Sequence, residues 1–288
     1  LAVGSRPALP AAFDLGNPRV MTSTEALELD DIPEKLLVIG GGYIGMELGT
    51  VYTTLGSEVT VVEAMPSILA GADADLIRPV MKYAKEHMKE VRLSWKVKKI
   101  STKGKQIQVV MTDGDKDVTE LYDKVLVSVG RTPNSKDIGL ENTKVDLDEK
   151  GFVKVNTKQE TSDSNIYAIG DIAGGILLAH KAHKEARIAV ENIVGQYAEM
   201  TKEVIVPAVV FTHPEVAWAG ITEAEAKEQG LKVKVSKCPW SANGRALTFD
   251  KTDGLTKIIV DPETDRILGV GIVGHGAGEL IAEGALAI

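Results

Sequence analysis

Residues 36–49 read LLVIGGGYIGMELG, and the fold turns on this stretch. Leu36–Gly40 is an apolar run of strand length that breaks at Gly40, Gly41 and Gly42. Tyr43–Leu55 then has the spacing of a helix. Gly40, Gly42 and Gly45 spell G-x-G-x-x-G between that strand and that helix, the context in which the motif has a mechanism. The first glycine permits a tight turn, the second lets backbone approach a pyrophosphate, and the third lets helix and strand pack closely. Phosphates then lie at the helix N-terminus, where N–H groups and the macrodipole favour negative charge. Glu63 closes the next strand, Glu58–Glu63. A carboxylate there accepts hydrogen bonds from both adenosine ribose hydroxyls and repels a 2′-phosphate, which predicts NAD over NADP.

Outward from this core, Asp73–His87 has the spacing of an amphipathic helix. Strand-like runs follow at Val91–Ile100, Gln106–Met111 and Lys124–Val129. That order is βαβ, a small antiparallel insertion and a closing strand, which predicts a Rossmann-like, doubly wound α/β domain. A second segment opens near Asp146, with a strand expected at Asn165–Ile169, a turn at Gly170-Asp171 and a helix over Ala179–Gly195. From Val204 the pattern changes again. Strands at Ala208–Thr212, Lys232–Lys237, Leu255–Val260 and Ile267–Val273 alternate with helices at Thr222–Gln229 and Ala277–Ile288, an α+β layer. One internal echo stands out. Leu1–Pro7 (LAVGSRP) and Val127–Pro133 (VSVGRTP) are both apolar ends running into glycine, arginine and proline, so the first is expected to close a sheet equivalent to the second.

Composition excludes several functions. The 288 residues carry a formal net charge of −8, unsuited to a nucleic-acid partner. No apolar run reaches the ~20 residues of a membrane span. No signal-peptide pattern opens the chain, and the single cysteine, Cys238, suits a reducing compartment, so a cytoplasmic location is expected. Residue 1 and the uncapped end of the last helix both read as cuts within a longer chain. His180 and His183, three apart on a helix, lack the further ligands that would complete a metal site, so they read as surface or packing histidines. Cys238 reads as a half-buried small hydrophobe, and Trp240–Arg245 as packing at an edge or interface.

Motifs along the whole chain resemble the flavoprotein disulfide reductases: Gly40–Glu47 (GGGYIGME), Val129–Pro133 (VGRTP), Tyr167–Asp171 (YAIGD), Leu178–Ala182 (LAHKA) and Thr212–Ala217 (THPEVA). Pro239–Ala246 (PWSANGRA) and Thr252–Lys257 (TDGLTK) are most similar to the bacterial dihydrolipoamide dehydrogenase branch. The resemblance implies four segments: 1–20 leaving an FAD-binding Rossmann-like domain, 21–145 forming the NAD domain, 146–203 returning to the first, and 204–288 forming a dimer-interface domain. It implies NAD and FAD as cofactors. Gly40, Gly41, Gly42, Tyr43, Ile44, Gly45, Met46, Glu47, Glu63, Val97 and Gly130 would serve NAD, with Tyr43 covering the flavin until nicotinamide displaces it and Glu47 beside the nicotinamide ring. Gly4, Asp171, Leu177, Leu178, Ala179 and His180 would serve FAD. Partners implied are a second copy in a homodimer and the lipoyl domains of 2-oxoacid dehydrogenase complexes or the glycine cleavage system.

The chain departs from that pattern in lacking an N-terminal glycine fingerprint, a redox disulfide and a C-terminal His–Glu pair. No catalytic residue is therefore expected within these 288 residues, and the chain alone is expected to be inactive. Two other readings stay open: a non-catalytic NAD-binding module, or another member such as a soluble transhydrogenase, mercuric reductase or glutathione reductase. One structural expectation follows from the cuts: the strand near Tyr167 should lack neighbours.

Overall fold

The protein is described by a computed structural model covering residues 1–201 and 204–288. The chain begins with β1 (Ser5–Pro7), then β2 (Val20–Met21), helix α1 (Ser23–Glu28) and β3 (Lys35–Ile39). Next come α2 (Tyr43–Thr54), β4 (Glu58–Glu63), α3 (Ala74–His87) and β5 (Glu90–Leu93). Four strands follow, β6 (Lys96–Lys103), β7 (Gln106–Thr112), β8 (Asp117–Tyr122) and β9 (Lys124–Val127). Then β10 (Arg131–Pro133) leads to the long helix α4 (Ala179–Ile193). The last stretch holds β11 (Ala208–Val210), β12 (Glu215–Gly220), α5 (Glu223–Glu228), β13 (Lys234–Pro239) and α6 (Gly244–Thr248). It ends with β14 (Leu255–Val260), β15 (Ile267–Gly274) and α7 (Ala277–Ala287).

Two compact units share the chain: Leu1–Pro7 with Gly130–Val206, and Ala8–Val129 with Pro207–Ile288. The larger unit contains a parallel five-stranded sheet in the order β2-β9-β3-β4-β5. Its strands are apolar on both faces because both faces are covered. Leu36, Val38, Val59 and Val61 enter one core with Met46, Tyr52, Leu76 and Val80 from the flanking helices. Leu37, Ile39, Val62 and Val125 enter a second, beneath the antiparallel sheet β6-β7-β8. Each fully buried aliphatic side chain contributes about 1.5–3 kcal/mol, so these adjacent cores dominate the unit's stability.

The expected strand over Val91–Ile100 is two strands, because Ser94 adopts a left-handed conformation (φ 59°) and breaks it between β5 and β6. Residues 117–122 add β8, which the sequence reading missed. Its exposed positions, Asp117, Thr119 and Leu121, mix polar and apolar residues, and Glu120 shares the inward face with Val118 and Tyr122, which obscures the alternation.

The same unit holds a second five-stranded sheet, entirely antiparallel, in the order β11-β12-β15-β14-β13. Trp240 packs where β13 ends, β14 begins and β15 ends, and a Cβ on Gly254 or Gly274 would come within 2.4 or 2.3 Å of the indole. Two residues of this segment, Gly254 of TDGLTK and Trp240 of PWSANGRA, are thus one packing device. Cys238 departs from its reading. It is exposed, because β13 is an edge strand whose residues are mostly solvent-facing.

In the smaller unit the two echoing segments pair with each other, β1 against β10, as an antiparallel ribbon with Arg6 opposite Thr132. Ahead of this ribbon, Leu1 N donates to the Tyr167 carbonyl at 2.5 Å, so the start of the echoing segment lies against residues 167–169. Asn165–Ile169 is not a strand of any sheet among the described residues. It makes one isolated bridge, Glu160 to Tyr167, and Ile169 N donates to the Leu1 carbonyl at 3.0 Å. A ladder needs a neighbour along its length, and here Leu1 on one side and Gln159–Thr161 on the other each make only two backbone bonds to this segment. The expected boundary at residue 203 lies outside the described residues.

Candidate dinucleotide site

The site is built at the turn from β3 into α2. Gly40 has φ 106°, and a Cβ there would stand 2.4 Å from the Ser128 carbonyl oxygen. Only glycine reconciles that conformation with that contact. Gly45 faces the same spot from the helix, and its Cβ would lie 2.0 Å from the Gly40 carbonyl and 2.6 Å from Ser128 Oγ. These two glycines therefore bring helix and strand together. Gly42 differs. Nothing lies within 4 Å of the place its Cβ would occupy, and it caps α2 with no side-chain bond to the helix. The open side of the turn is thus the side of the second glycine, at a helix N-terminus where an anion is favoured.

Glu63 ends β4 beside this turn, as expected. Its Oε2 accepts from Gly41 N at 2.6 Å and its Oε1 from Met65 N at 2.7 Å. A carboxylate has about four acceptor positions, so both oxygens keep capacity for ribose hydroxyls. The backbone bonds also fix the carboxylate's direction before any ligand arrives. Trp95 N donates to the Glu63 carbonyl at 3.0 Å, which brings the start of β6, with Val97, to the same end of the sheet.

Tyr43, Ile44 and Met46 lie on the first turn of α2, with Met46 buried. Glu47 follows, half-buried, and its Oε1 accepts from Phe211 N at 2.8 Å. Burial raises the Glu47 carboxyl above its ordinary range, against the opposing pull of the Phe211 amide.

Two positions went unnoticed in the sequence. Ser128 donates to the carbonyls of Ile39 (3.0 Å) and Gly40 (3.2 Å) and so fixes the turn from beneath. It lies inside the echoing segment 127–133, one residue before the VGRTP motif, and that placement was the available signal. Phe211 acts through its backbone, which no side-chain motif announces.

The residues assigned to a flavin lie in the smaller unit, as does Gly130. Gly4 has φ 65° and leads into β1. The next residue, Ser5, donates from Oγ to Asp171 Oδ2, while Arg131 reaches Ser5 Oγ (Nε, 2.6 Å) and Asp171 Oδ2 (Nε, 3.5 Å). Leu177 and Leu178 are half-buried just before α4, and Ala179 and His180 are exposed at its first turn. That helix also begins without a side-chain cap. His183 is exposed one turn on.

What anchors this helix is buried. Lys181 Nζ donates to Glu185 Oε1 at 2.7 Å, and Glu185 Oε2 accepts from Gly170 N at 2.7 Å. No helix among the described residues is long and apolar enough to cross a membrane.

The pyridine nucleotide-disulphide oxidoreductase family matches residues 1–186, and its dimerisation domain matches residues 206–288. A dihydrolipoyl dehydrogenase of Vibrio parahaemolyticus is 45% identical over 290 aligned residues, covering all of this chain and 60% of its own length. One from Staphylococcus aureus is 45% identical over 288 residues, covering all of this chain and 61% of its own length. Among solved structures, LpdA from Mycobacterium tuberculosis superposes with a TM-score of 0.91 at 28% identity, over 99% of this chain and 62% of that one. The HOCl-induced flavoprotein disulfide reductase RclA from Escherichia coli gives 0.89 at 29%, over 99% of this chain and 65% of that one. The chain spans about 60% of the length of the curated relatives it matches.

Proposed function

Because the chain belongs to the pyridine nucleotide-disulphide oxidoreductase family, we propose that it is the NAD-binding and interface-bearing part of a dihydrolipoyl dehydrogenase. The observation that carries the reading is the β3–α2 turn. Two of its glycines are closed against backbone, the third is open at a helix N-terminus, and a pre-oriented carboxylate stands beside it. Those features fit a dinucleotide whose ribose carries no phosphate. When bound, NAD supplies the hydride acceptor. The chain binds its pyrophosphate at Gly42, orients its ribose with Glu63 and presents Glu47 further along α2.

The flavin assignment extends the same reading. Gly4, Asp171 and the start of α4, Leu177–His180, would hold FAD, which supplies the electron relay when bound. The carboxylate of Asp171, already oriented by Ser5 and Arg131, and the uncapped, exposed helix start both fit such a role. The segments would be 1–20, 21–145, 146–203 and 204–288, as the family resemblance implies. The last would pair with a second copy, and lipoyl domains would be the substrate carriers. A cytoplasmic setting suits this reading. The chain itself has one cysteine, so it forms no intrachain disulfide and would not turn over alone.

Sequence identity favours this branch over the HOCl-induced flavoprotein disulfide reductase, with 45% to dihydrolipoyl dehydrogenases against 29% to that enzyme. The test is a steady-state assay of the complete protein that carries this chain. NAD reduction driven by dihydrolipoamide supports the reading. Reduction of glutathione disulfide with NADPH, and no response to dihydrolipoamide, would sink it.

A further inference from the structure

We propose that Lys257 is a positioning residue for the dinucleotide site, acting through residues 64–73, the segment on which the glycine turn rests. The proposal rests on the NAD reading above and deepens it.

Lys257 is 1% exposed, and its Nζ donates to Asp73 Oδ2 at 2.6 Å, Asp75 Oδ1 at 2.7 Å and Glu223 Oε1 at 3.0 Å. All three ammonium protons are therefore used. A buried ammonium costs several kcal/mol to desolvate, and three carboxylates offset that cost. Lys237 adds a second cation, 2.6 Å from Asp75 and 3.0 Å from Glu223.

Asp73 makes the arrangement specific. It occupies the N-cap position of α3, where an aspartate ordinarily bonds to its own helix. Here it makes no such bond. Its oxygens accept instead from Lys257 and from Glu223 N (3.0 Å) and Ala224 N (3.3 Å) at the start of α5. Asp73 is thus committed to the antiparallel sheet's side of the unit and anchors the segment that precedes it.

That segment runs directly beneath the phosphate turn. Leu69 N donates to the Gly41 carbonyl at 2.8 Å. Ile68 fills the space under Gly41, where a Cβ would come within 2.9 Å of its methyl. Leu69 holds a left-handed backbone, φ 50°, which a leucine keeps only when its surroundings impose it. One end of the segment is tied by Met65 N to Glu63, and the other by Asp73 to Lys257. Releasing the second end frees Leu69 to leave its strained conformation, and Gly41 then loses its support.

The test uses the paired variant K257M/D73N in the 288-residue chain. Replacing Asp73 along with Lys257 avoids leaving the Asp73 carboxylate buried without its ammonium, Asp75 and Glu223 keep Lys237 as a cation, and the amide that D73N introduces still offers an acceptor to α5. Two readouts are taken at matched global stability: the NAD dissociation constant by calorimetry, and hydrogen exchange of the Leu69 amide without ligand. Both should move by at least tenfold, towards weaker binding and faster exchange, while the Val61 amide in β4 keeps its rate. Wild-type NAD affinity in the variant overturns the proposal, whatever the exchange rate. An unchanged Leu69 amide overturns it as well. If the wild-type chain binds no NAD yet Leu69 exchange accelerates in the variant, the nucleotide reading falls and the lock on residues 64–73 stands.

Discussion

The two units of this chain are held together by different physics. In the larger one, β3, β4 and β9 put Leu36, Leu37, Val38, Val59, Val61, Val125 and Leu126 out of solvent entirely, and the glycine turn between β3 and α2 is a by-product of that packing. In the smaller one the buried apolar cluster is short, Leu140, Val153, Ala168 and Ile172. Its order comes from polar contacts instead: Ser5 and Arg131 on Asp171, Lys181 on Glu185, and Glu185 on Gly170. A site resting on an apolar sheet tolerates the loss of any one polar bond. A site resting on a few polar bonds does not.

The largest effect should therefore come from the smaller unit. Lys181→Met leaves the buried Glu185 carboxylate without its cation, and breaking such a pair costs about 3–5 kcal/mol. Adding Glu185→Gln should recover most of it, because the amide oxygen can still accept from Gly170 N. Denaturant titrations that find K181M near wild type would erase the contrast between the units.

Next comes Gly45→Ala. Its methyl would press on the Gly40 carbonyl, for a cost of about 1–3 kcal/mol, and NAD binding should be lost with it. Gly42→Ala sharpens the point. Its methyl enters open space, so stability should fall by under about 1 kcal/mol while NAD affinity drops at least tenfold. Equal losses of stability in the two variants would mean that the turn is not built as described.

Arg131→Met ranks below these. It removes charged hydrogen bonds to Ser5 that are partly exposed, worth about 1–2 kcal/mol. The deficit should appear in amide exchange around Ser5 and Asp171 and leave β3 and β4 untouched.

The smallest effect is a change of slope with pH. Burial raises the folded-state value of Glu47, so its favourable contribution is complete below the ordinary value of 4.5 and is lost as pH rises through the folded value. Glu47→Gln, whose amide oxygen can still accept from Phe211 N, should flatten that decline and give a slightly higher Tm at pH 7. Identical pH profiles would contradict the assignment.

What the sequence disclosed follows the same division. Strand β4 was read at its true limits, and α2 and α3 within one residue, because periodicity reports burial and burial dominates there. Glu63 and the glycine triplet were legible for the same reason, since a turn between two buried elements leaves glycine few alternatives. The smaller unit was less legible. Asn165–Ile169 has a strand's composition and receives a bridge and a few scattered backbone bonds, because a strand is defined by partners that its own residues do not encode. The pairing of β1 with β10 spans the whole larger sheet in sequence and left only the echo as a trace. Lys257 could not have been found from its motif, since its three carboxylates lie 182–184 and 34 residues away.

The most direct test of the central claim is calorimetric titration of the chain with NADH and, separately, NADPH. A single NADH site is expected, with NADPH weaker by at least tenfold because the Glu63 carboxylate would repel the added phosphate. Equal affinity for the two, or heat from neither, would contradict the assignment of the β3–α2 turn as an NAD site.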